Sequence, residues 1–337
     1  MSTKAQIDWA KVSTILVHKP DHIGDLLCAA PALALVRKAA PSAKITVAFM
    51  PKAAQFLEYL NLYDEIHPLL GPTWYAKPGA LRYIRWARRK QFDLIVNFRC
   101  DFRDILATQA CGAKLTCTWD HKGLATFAAF KTKVSPDLCE TDNHLRLARA
   151  MELEPAGEYR AKIRDSDAEF IKQRFSDAKK RIAFHPFAAS PAKKWPLAHI
   201  METVGALLGN DMAVALIGSE ENSRDAQLIA KAHPGIVNLV GQTSPGQLFA
   251  AVAAADLLIA ADSGPGHIGP LVDTPVVSLM SGTNEAKRWA PKGATVIREG
   301  ASCAPCGKRV CPIAGHPCMS GISPGRVIDT VIEVLRS

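Results

Sequence analysis

Residues 257–280 read LLIAADSGPGHIGPLVDTPVVSLM. Five apolar residues lead into Asp262, followed by a Ser-Gly-Pro-Gly turn, a short apolar stretch from about Gly266 and the run PVVSLM. This pattern predicts a buried strand ending at Asp262, a tight turn, a short helix and a second buried strand, the repeating unit of a parallel sheet. The turn also carries chemistry. Backbone N–H groups at a helix start lack partners, and glycines let a ligand come close, so the turn is a candidate seat for a phosphate or diphosphate. Open α/β sheets bind ligands beyond the carboxyl ends of their strands, where this turn lies. The same residues also suit a plain turn with Asp262 as a structural cap.

Working outward, the same alternation extends over most of the chain. Upstream lie RIAFHPF, a helix over 196–208, MAVALIG, a helix over 221–232, IVNLVG and a helix over 245–254. An earlier series runs through TILVHK, a helix over 24–39, KITVAF, a helix over 52–60, DLIVNF and a helix over 102–111. Between the two series, MELEPAGEYRAKIRDSDAEF is polar, holds Pro155 and Gly157, and reads as a linker. Two successive α/β domains imply a cleft between them.

Composition bounds what such domains do. The chain has 337 residues, 48% hydrophobic and 22% charged, enough for two packed domains and too little charge for disorder. The N-terminus shows no apolar core before a cleavage site and no run is long enough to span a membrane, so the chain reads as cytoplasmic. Nine cysteines then read as thiols, with Cys28 and Cys111 as small core residues. Forty-one Lys and Arg against 32 Asp and Glu give +9, which favours anionic partners or simply a solvated basic surface. No Walker pattern is present, and MAVALIG is followed by a single glycine, Gly218, before SEENSR, which disfavours dinucleotide cofactors and phosphate-loop hydrolysis.

Two further stretches carry candidate chemistry. In HPFAASPAKKWPLAHI, residues 185–200, Lys193 and Lys194 precede Trp195 and Pro196, and Pro196 suits a first helical turn. A lysine held there can meet a phosphate, although paired loop lysines are usually only solvated. In HKPDHIGDLLCAAPAL, residues 18–33, the strand-to-helix turn has one glycine and the acids Asp21 and Asp25, where a phosphate loop would have glycines and a lysine.

Together with NLVGQTSPGQLFAAVAAADLLIAADSGPGH and CAPCGKRVCPIAGHPC, these segments resemble glycosyltransferase family 9, the bacterial heptosyltransferases of lipopolysaccharide core synthesis. The resemblance covers nearly the whole chain in order. It implies an α/β GT-B fold: two Rossmann-like domains facing each other across a cleft. The acceptor-binding domain spans 1–160, the nucleotide-sugar domain 161–324, and a helix over 325–337 packs back on the first. It implies inverting transfer of heptose from ADP-heptose to a lipid-anchored core saccharide, no role for nucleic acid, and contact with the inner membrane face. The basic RYIRWARRK either meets that face or is a solvated helix side. Oligomeric state is left open.

By the same carry-over Asp25, in the IGD motif, is the general base that takes the acceptor hydroxyl's proton. A helix N-terminus lowers the pKa of such a carboxylate and burial raises it, and the sequence leaves the balance open. Lys194 contacts the donor's phosphates. Asp262, Ser263, Gly264 and His267 fall on the donor motif, with a satisfied core histidine as the other reading of His267. Thr243 falls on a loop lining the nucleotide pocket, and Glu221 near the ribose. Lysine and helix dipole handle the diphosphate without a divalent cation. Asp21 and His22 form a bulkier, more polar rim than the Ser or Ala frequent in the family, so the acceptor's identity stays open. They, with Arg99 and Arg103, are the acceptor-side candidates. Cys303, Cys306, Cys311 and Cys318 are either a tetrahedral Zn or Fe site or reduced, metal-free thiols. A nucleotide-sugar epimerase of similar fold and a non-catalytic sugar-binding protein are the rival readings; neither accounts for IGD, KKWP and DSGPGH together.

Overall fold

A computed structural model describes residues 6–50, 54–69, 79–175 and 180–336. The chain divides between Tyr159 and Arg160 into two units. In the first unit six strands form one sheet: β1 (Thr14–His18), β2 (Lys44–Phe49), β3 (Glu65–Pro68), β4 (Leu94–Asn97), β5 (Leu115–Trp119) and β6 (Phe130–Thr132). Their order is β3-β2-β1-β4-β5-β6 and every neighbouring pair is parallel. The helices are α1 (Ile23–Ala39), α2 (Ala54–Leu60), α3 (Gly79–Lys90), α4 (Phe102–Ala110) and α5 (Glu140–Ala150). The start anticipated for α2, at residue 52, lies outside the described residues.

The second unit repeats the plan. Its strands are β7 (Lys180–His185), β8 (Met212–Leu216), β9 (Val237–Asn238), β10 (Leu257–Ala261), β11 (Val276–Met280) and β12 (Thr295–Arg298). They are ordered β12-β11-β10-β7-β8-β9, again all parallel. Counted from its own first strand, each sheet reads 3-2-1-4-5-6, the doubly wound order whose reversal point lies between the first and fourth strands. The helices are α6 (Asp165–Lys172), α7 (Leu197–Gly209), α8 (Ser223–Ala232), α9 (Pro245–Ala253), α10 (Ala286–Trp289), α11 (Pro317–Ser320) and α12 (Pro324–Arg336). On α12, Val327 and Val331 are fully buried in the core formed by Ile182, Phe184, Val204 and Leu207.

The central strands carry unbroken apolar runs because both faces are covered. Ile15, Leu16 and Val17, and Leu257 through Ala261, are at most 1% exposed. On α1, Leu26, Leu27, Cys28, Ala29, Ala30, Ala32, Leu33 and Val36 are all buried, and the small residues allow close packing along α5. One local expectation is corrected: the segment after Asp262 is a 3-10 helix over Gly264–Leu271, not an α-helix. Three glycines and two prolines in eight residues explain it, since Pro270 has no N–H to donate and glycine gains little from a helix. The turn out of this helix requires glycine at 269, where a Cβ would run into Val276 and lie 2.9 Å from the Thr274 carbonyl.

Candidate active site

In the first unit, β1 and β4 are parallel neighbours and deliver their carboxyl ends to the same edge. β1 runs out through Lys19 and Asp21 into α1; β4 runs out through Phe98 and Arg99 into α4. Lys19 is only 2% exposed, and a buried ammonium requires counter-charge. Asp21 supplies it at 3.0 Å, and the other oxygen of Asp21 lies 3.3 Å from Arg99. Arg99 is also 3.4 Å from Asp104 and donates to the Pro20 carbonyl at 3.2 Å. Asp104 bonds His18 at 2.7 Å, and His18 bonds the Tyr83 hydroxyl at 2.8 Å. From α5, His144 comes within 3.4 Å of the Lys19 ammonium and 3.7 Å of Glu140. A connected set of charged and polar side chains thus lies beside the first turn of α1, where Asp25 is the third helical residue.

That setting decides Asp25's acidity. Burial pushes its carboxyl above the usual range; Lys19 and His22 pull it down, Asp21 and Glu140 push it up, and the net is upward. Asp21 goes the other way: burial raises it, but Lys19 and Arg99 hold it below the usual range. Burial would neutralise Lys19, yet Asp21, Asp25 and Glu140 more than offset this and keep the ammonium charged. His144 is lowered to about 4 by burial and by the neighbouring Lys19 charge, so it is neutral at pH 7. Burial is thus the largest influence on Asp25, and the net direction is upward.

The structure brings Asp21 and Arg99 together near Asp25, leaves His22 on the exposed side of the same turn and turns Arg103 onto Asp101. His22 is exposed at the N-cap of α1 and makes no side-chain capping bond. Arg103 forks onto Asp101, the N-cap of α4, with N–H to oxygen distances of 2.9 and 2.8 Å. Asp101 is held at about 2, first by that Arg103 bond. Lys19, Glu140 and His144 were not singled out from the sequence. The adjacent "HK" closing an apolar strand was the available signal for Lys19; nothing local marks residues more than a hundred positions away.

In the second unit the candidates lie along the carboxyl edge of the sheet. Asp262 follows β10; it accepts from the Lys193 ammonium at 2.8 Å and from Ser281 Oγ at 2.8 Å, and Ser281 in turn bonds Thr283 at 2.8 Å. Ser263 Oγ lies 3.0 Å from His185 Nδ1 at the end of β7, and burial lowers His185 to about 4. Gly264 opens the 3-10 helix and His267 is half-buried within it. Lys193, not Lys194, reaches Asp262; Lys194 is the exposed residue ending the short 3-10 turn over Pro191–Lys193. Glu221 is exposed in the 3-10 turn Glu220–Asn222 after β8. Thr243 is half-buried in the turn before α9, and the Gly241 N–H donates to the Gly218 carbonyl at 3.0 Å, holding these two loops side by side. Gly241 has φ +72°, a conformation that favours glycine. From β10 across β7 and β8 to β9 these positions span about 14 Å at the usual strand spacing.

The cysteine-rich segment does not gather a metal site among the described residues. Cys318 is buried at the start of α11, where Met319 and Ile322 anchor the segment in the core. Cys303, Cys306 and Cys311 are part-exposed, and the Cys311 thiol points to the Ile313 carbonyl at 3.6 Å. The Zn or Fe site considered for Cys303, Cys306, Cys311 and Cys318 is therefore not formed by this arrangement: its fourth thiol is drawn into the core.

Two doubly wound units, each with polar residues at its reversal point, define a GT-B type α/β protein. Residues 80–316 match glycosyltransferase family 9 (heptosyltransferase), and the chain belongs to that family. It is 22% identical to lipooligosaccharide heptosyltransferase 2 of Campylobacter jejuni over 338 aligned positions, covering 96% of this chain and 98% of that protein. In fold it is similar to a family 9 glycosyl transferase from Veillonella parvula, with TM-score 0.80, 21% identity and 99% of each chain covered. It is also similar to E. coli heptosyltransferase WaaC solved with ADP-2-deoxy-2-fluoro heptose, with TM-score 0.72, 16% identity, and 95% and 99% covered.

Proposed function

We propose that the protein transfers heptose, with inversion, from ADP-heptose to the core saccharide of a lipid-anchored acceptor, using Asp25 as the general base. The observation that carries this reading is the position of Asp25 in the first turn of α1, where burial, with Asp21 and Glu140 nearby, raises its pKa against the pull of Lys19, in a family 9 chain. A carboxylate with a raised pKa is a better proton acceptor than a surface aspartate.

In the reaction an acceptor hydroxyl attacks the anomeric carbon as its proton passes to Asp25. The new C–O bond forms on the face opposite the bond to the diphosphate, which breaks, and ADP leaves. Charge develops on the departing diphosphate, so Lys194 and the N–H groups of the turn at Ser263 and Gly264 are assigned to stabilise it. Lys193 orients Asp262 beside them. Glu221 and Thr243, on loops following β8 and β9, are assigned to the ribose and base. Asp21 and Arg99 are assigned to the acceptor, with His22 and Arg103 at its rim.

The test pairs a binding with a turnover measurement. ADP is expected to raise the melting temperature while NAD and NADP do not, and ADP-heptose with extracted core acceptors is expected to release ADP. Equal stabilisation by a dinucleotide, or ADP release that needs no acceptor, would overturn the reading.

A further inference from the structure

The cysteine-rich segment meets the polar edge of the second unit at two places. At one, the Cys306 N–H donates to the Gly282 carbonyl at 3.0 Å and the Gly307 N–H to the Thr283 carbonyl at 2.9 Å. Thr283 bonds Ser281, and Ser281 donates to Asp262. At the other, the Arg309 carbonyl accepts from the Ser190 hydroxyl and from the Ala192 N–H, each at 3.0 Å. His316 Nε2 lies 3.0 Å from the Ala192 carbonyl. A carbonyl only accepts, so Nε2 carries the hydrogen.

Ala192 is the middle residue of the 3-10 turn Pro191–Lys193, and Lys194 follows that turn directly. Within it the Lys193 N–H donates to the Ser190 carbonyl at 2.9 Å and the Lys194 N–H to the Pro191 carbonyl at 3.3 Å. So short a 3-10 turn does not hold its shape by such bonds alone. Both backbone groups of Ala192 are taken up by the cysteine-rich segment, and at 1% exposure this residue has no water to replace them. On the far side of the lysines, Trp195 Nε1 donates to the Ile322 carbonyl at 3.0 Å. Lys193 and Lys194 therefore stand between two anchors, and both anchors lie in residues 309–322.

The backbone at His316 shows that this arrangement is held against a cost. Gly315 has φ +77° and His316 φ +48°, two left-handed residues in succession, and a residue with a Cβ adopts that region unwillingly. Just behind them α11 is fixed by Met319, which is fully buried. The anchored helix and the left-handed step together present the imidazole to the Ala192 carbonyl. We propose that His316 is a positioning residue for the transfer: with the Arg309 carbonyl it fixes the turn from which Lys194 reaches the leaving diphosphate. A lysine on a long flexible stem stabilises developing charge best when its backbone is already in place. The proposal rests on the transfer reading for the role of Lys194.

The experiment is a double-mutant cycle on the full chain, read as the ADP dissociation constant by titration calorimetry. His316→Ala is expected to weaken ADP binding about three- to ten-fold when Lys194 is present, the usual effect of one lost hydrogen bond. In the Lys194→Ala background the same change is expected to cost less than about two-fold, because the group it positions is gone. His316→Gln, whose side-chain amide offers an N–H at similar reach, is expected to recover most of the affinity. Should His316→Ala fail to fold, Ser190→Ala removes only the hydroxyl donated to Arg309 and carries the same cycle, with a loss of about two- to three-fold. A purely structural role weakens binding equally in both backgrounds. Equal losses in the two backgrounds, or no loss in either, overturn the proposal while ADP binding by the wild type leaves the transfer reading standing. A wild-type chain that binds no ADP overturns the transfer reading and this proposal with it.

Discussion

The two sheets share one strand order and use their reversal points in opposite ways. In the first unit the point is crowded with buried and half-buried charge: Lys19, Asp21 and Glu140 act on Asp25, and Arg99 and Asp104 join them through Asp21. In the second it is sparse, with one Lys193–Asp262 pair, the hydroxyls of Ser263, Ser281 and Thr283, and a glycine-rich 3-10 helix. Buried like charges move a carboxyl's pKa; hydroxyls and backbone N–H groups fix an anion's position without titrating. The same topology therefore yields one half suited to proton transfer and one suited to holding a diphosphate. If that division is right, equivalent substitutions in the two halves should fail differently.

The sharpest break is Asp25→Asn. It keeps the side chain's shape and removes its ability to accept a proton, so transfer should fall by about a hundred- to ten-thousand-fold, with ADP affinity nearly unchanged. Lys194→Ala should show the opposite division: it removes charge at the leaving group, so turnover falls by about ten- to a thousand-fold and ADP binding weakens with it. Transfer at the wild-type rate by Asp25→Asn would reduce that residue to a first-turn helix acid, with Asp21 and His22 next to be tested. A strict requirement for added magnesium would break the assignment of leaving-group charge to Lys194.

Lys193→Ala sharpens the comparison inside the second unit. Its ammonium pairs with a nearly buried Asp262, 7% exposed, and the substitution leaves that carboxylate without its cation. The cost is about 1–3 kcal/mol, which for a chain of this size lowers the melting temperature by several degrees. Differential scanning calorimetry of both lysine variants separates the roles, because exposed Lys194 should melt as wild type does. Matching losses of stability would mean both lysines are structural.

How much of this was legible follows from where each signal sits. The stretch LLIAADSGPGH showed its strand and turn because apolar run and punctuation are adjacent, but the kind of helix after it depends on the donor that Pro270 lacks and on three glycines that favour an α-helix little. Asp25 was visible through its motif. Its environment was not, since Glu140 acts on it, and His144 meets Lys19, only when α5 packs along α1. Lys19 was passed over because a lysine after an apolar strand normally reaches solvent, and only the folded chain surrounds it with Asp21 and Glu140. Strand β6, three residues reading FKT, is too short and polar to register without the neighbour that pairs with it.

The smallest effect is also the most specific to the crowded half. Asp25 accepts a proton only when ionised, so transfer should fall as pH drops through its raised pKa. Lys19 pulls that pKa down and Asp21 pushes it up. Lys19→Met therefore raises the Asp25 pKa further and moves the acid limb of the rate profile to higher pH. Asp21→Asn removes a negative neighbour and moves the same limb to lower pH. Above the limb Lys19→Met should change turnover little and on the limb it should lower it, while Asp21→Asn sustains turnover to a lower pH than wild type does. Rate profiles of kcat from pH 5 to 9 check the pair. Only the sign of the displacement matters, because a general loss of packing slows both variants at every pH and shifts neither limb. Limbs displaced in the same direction, or not at all, would mean that the residue titrating in the rate profile is not the carboxylate lying between Lys19 and Asp21.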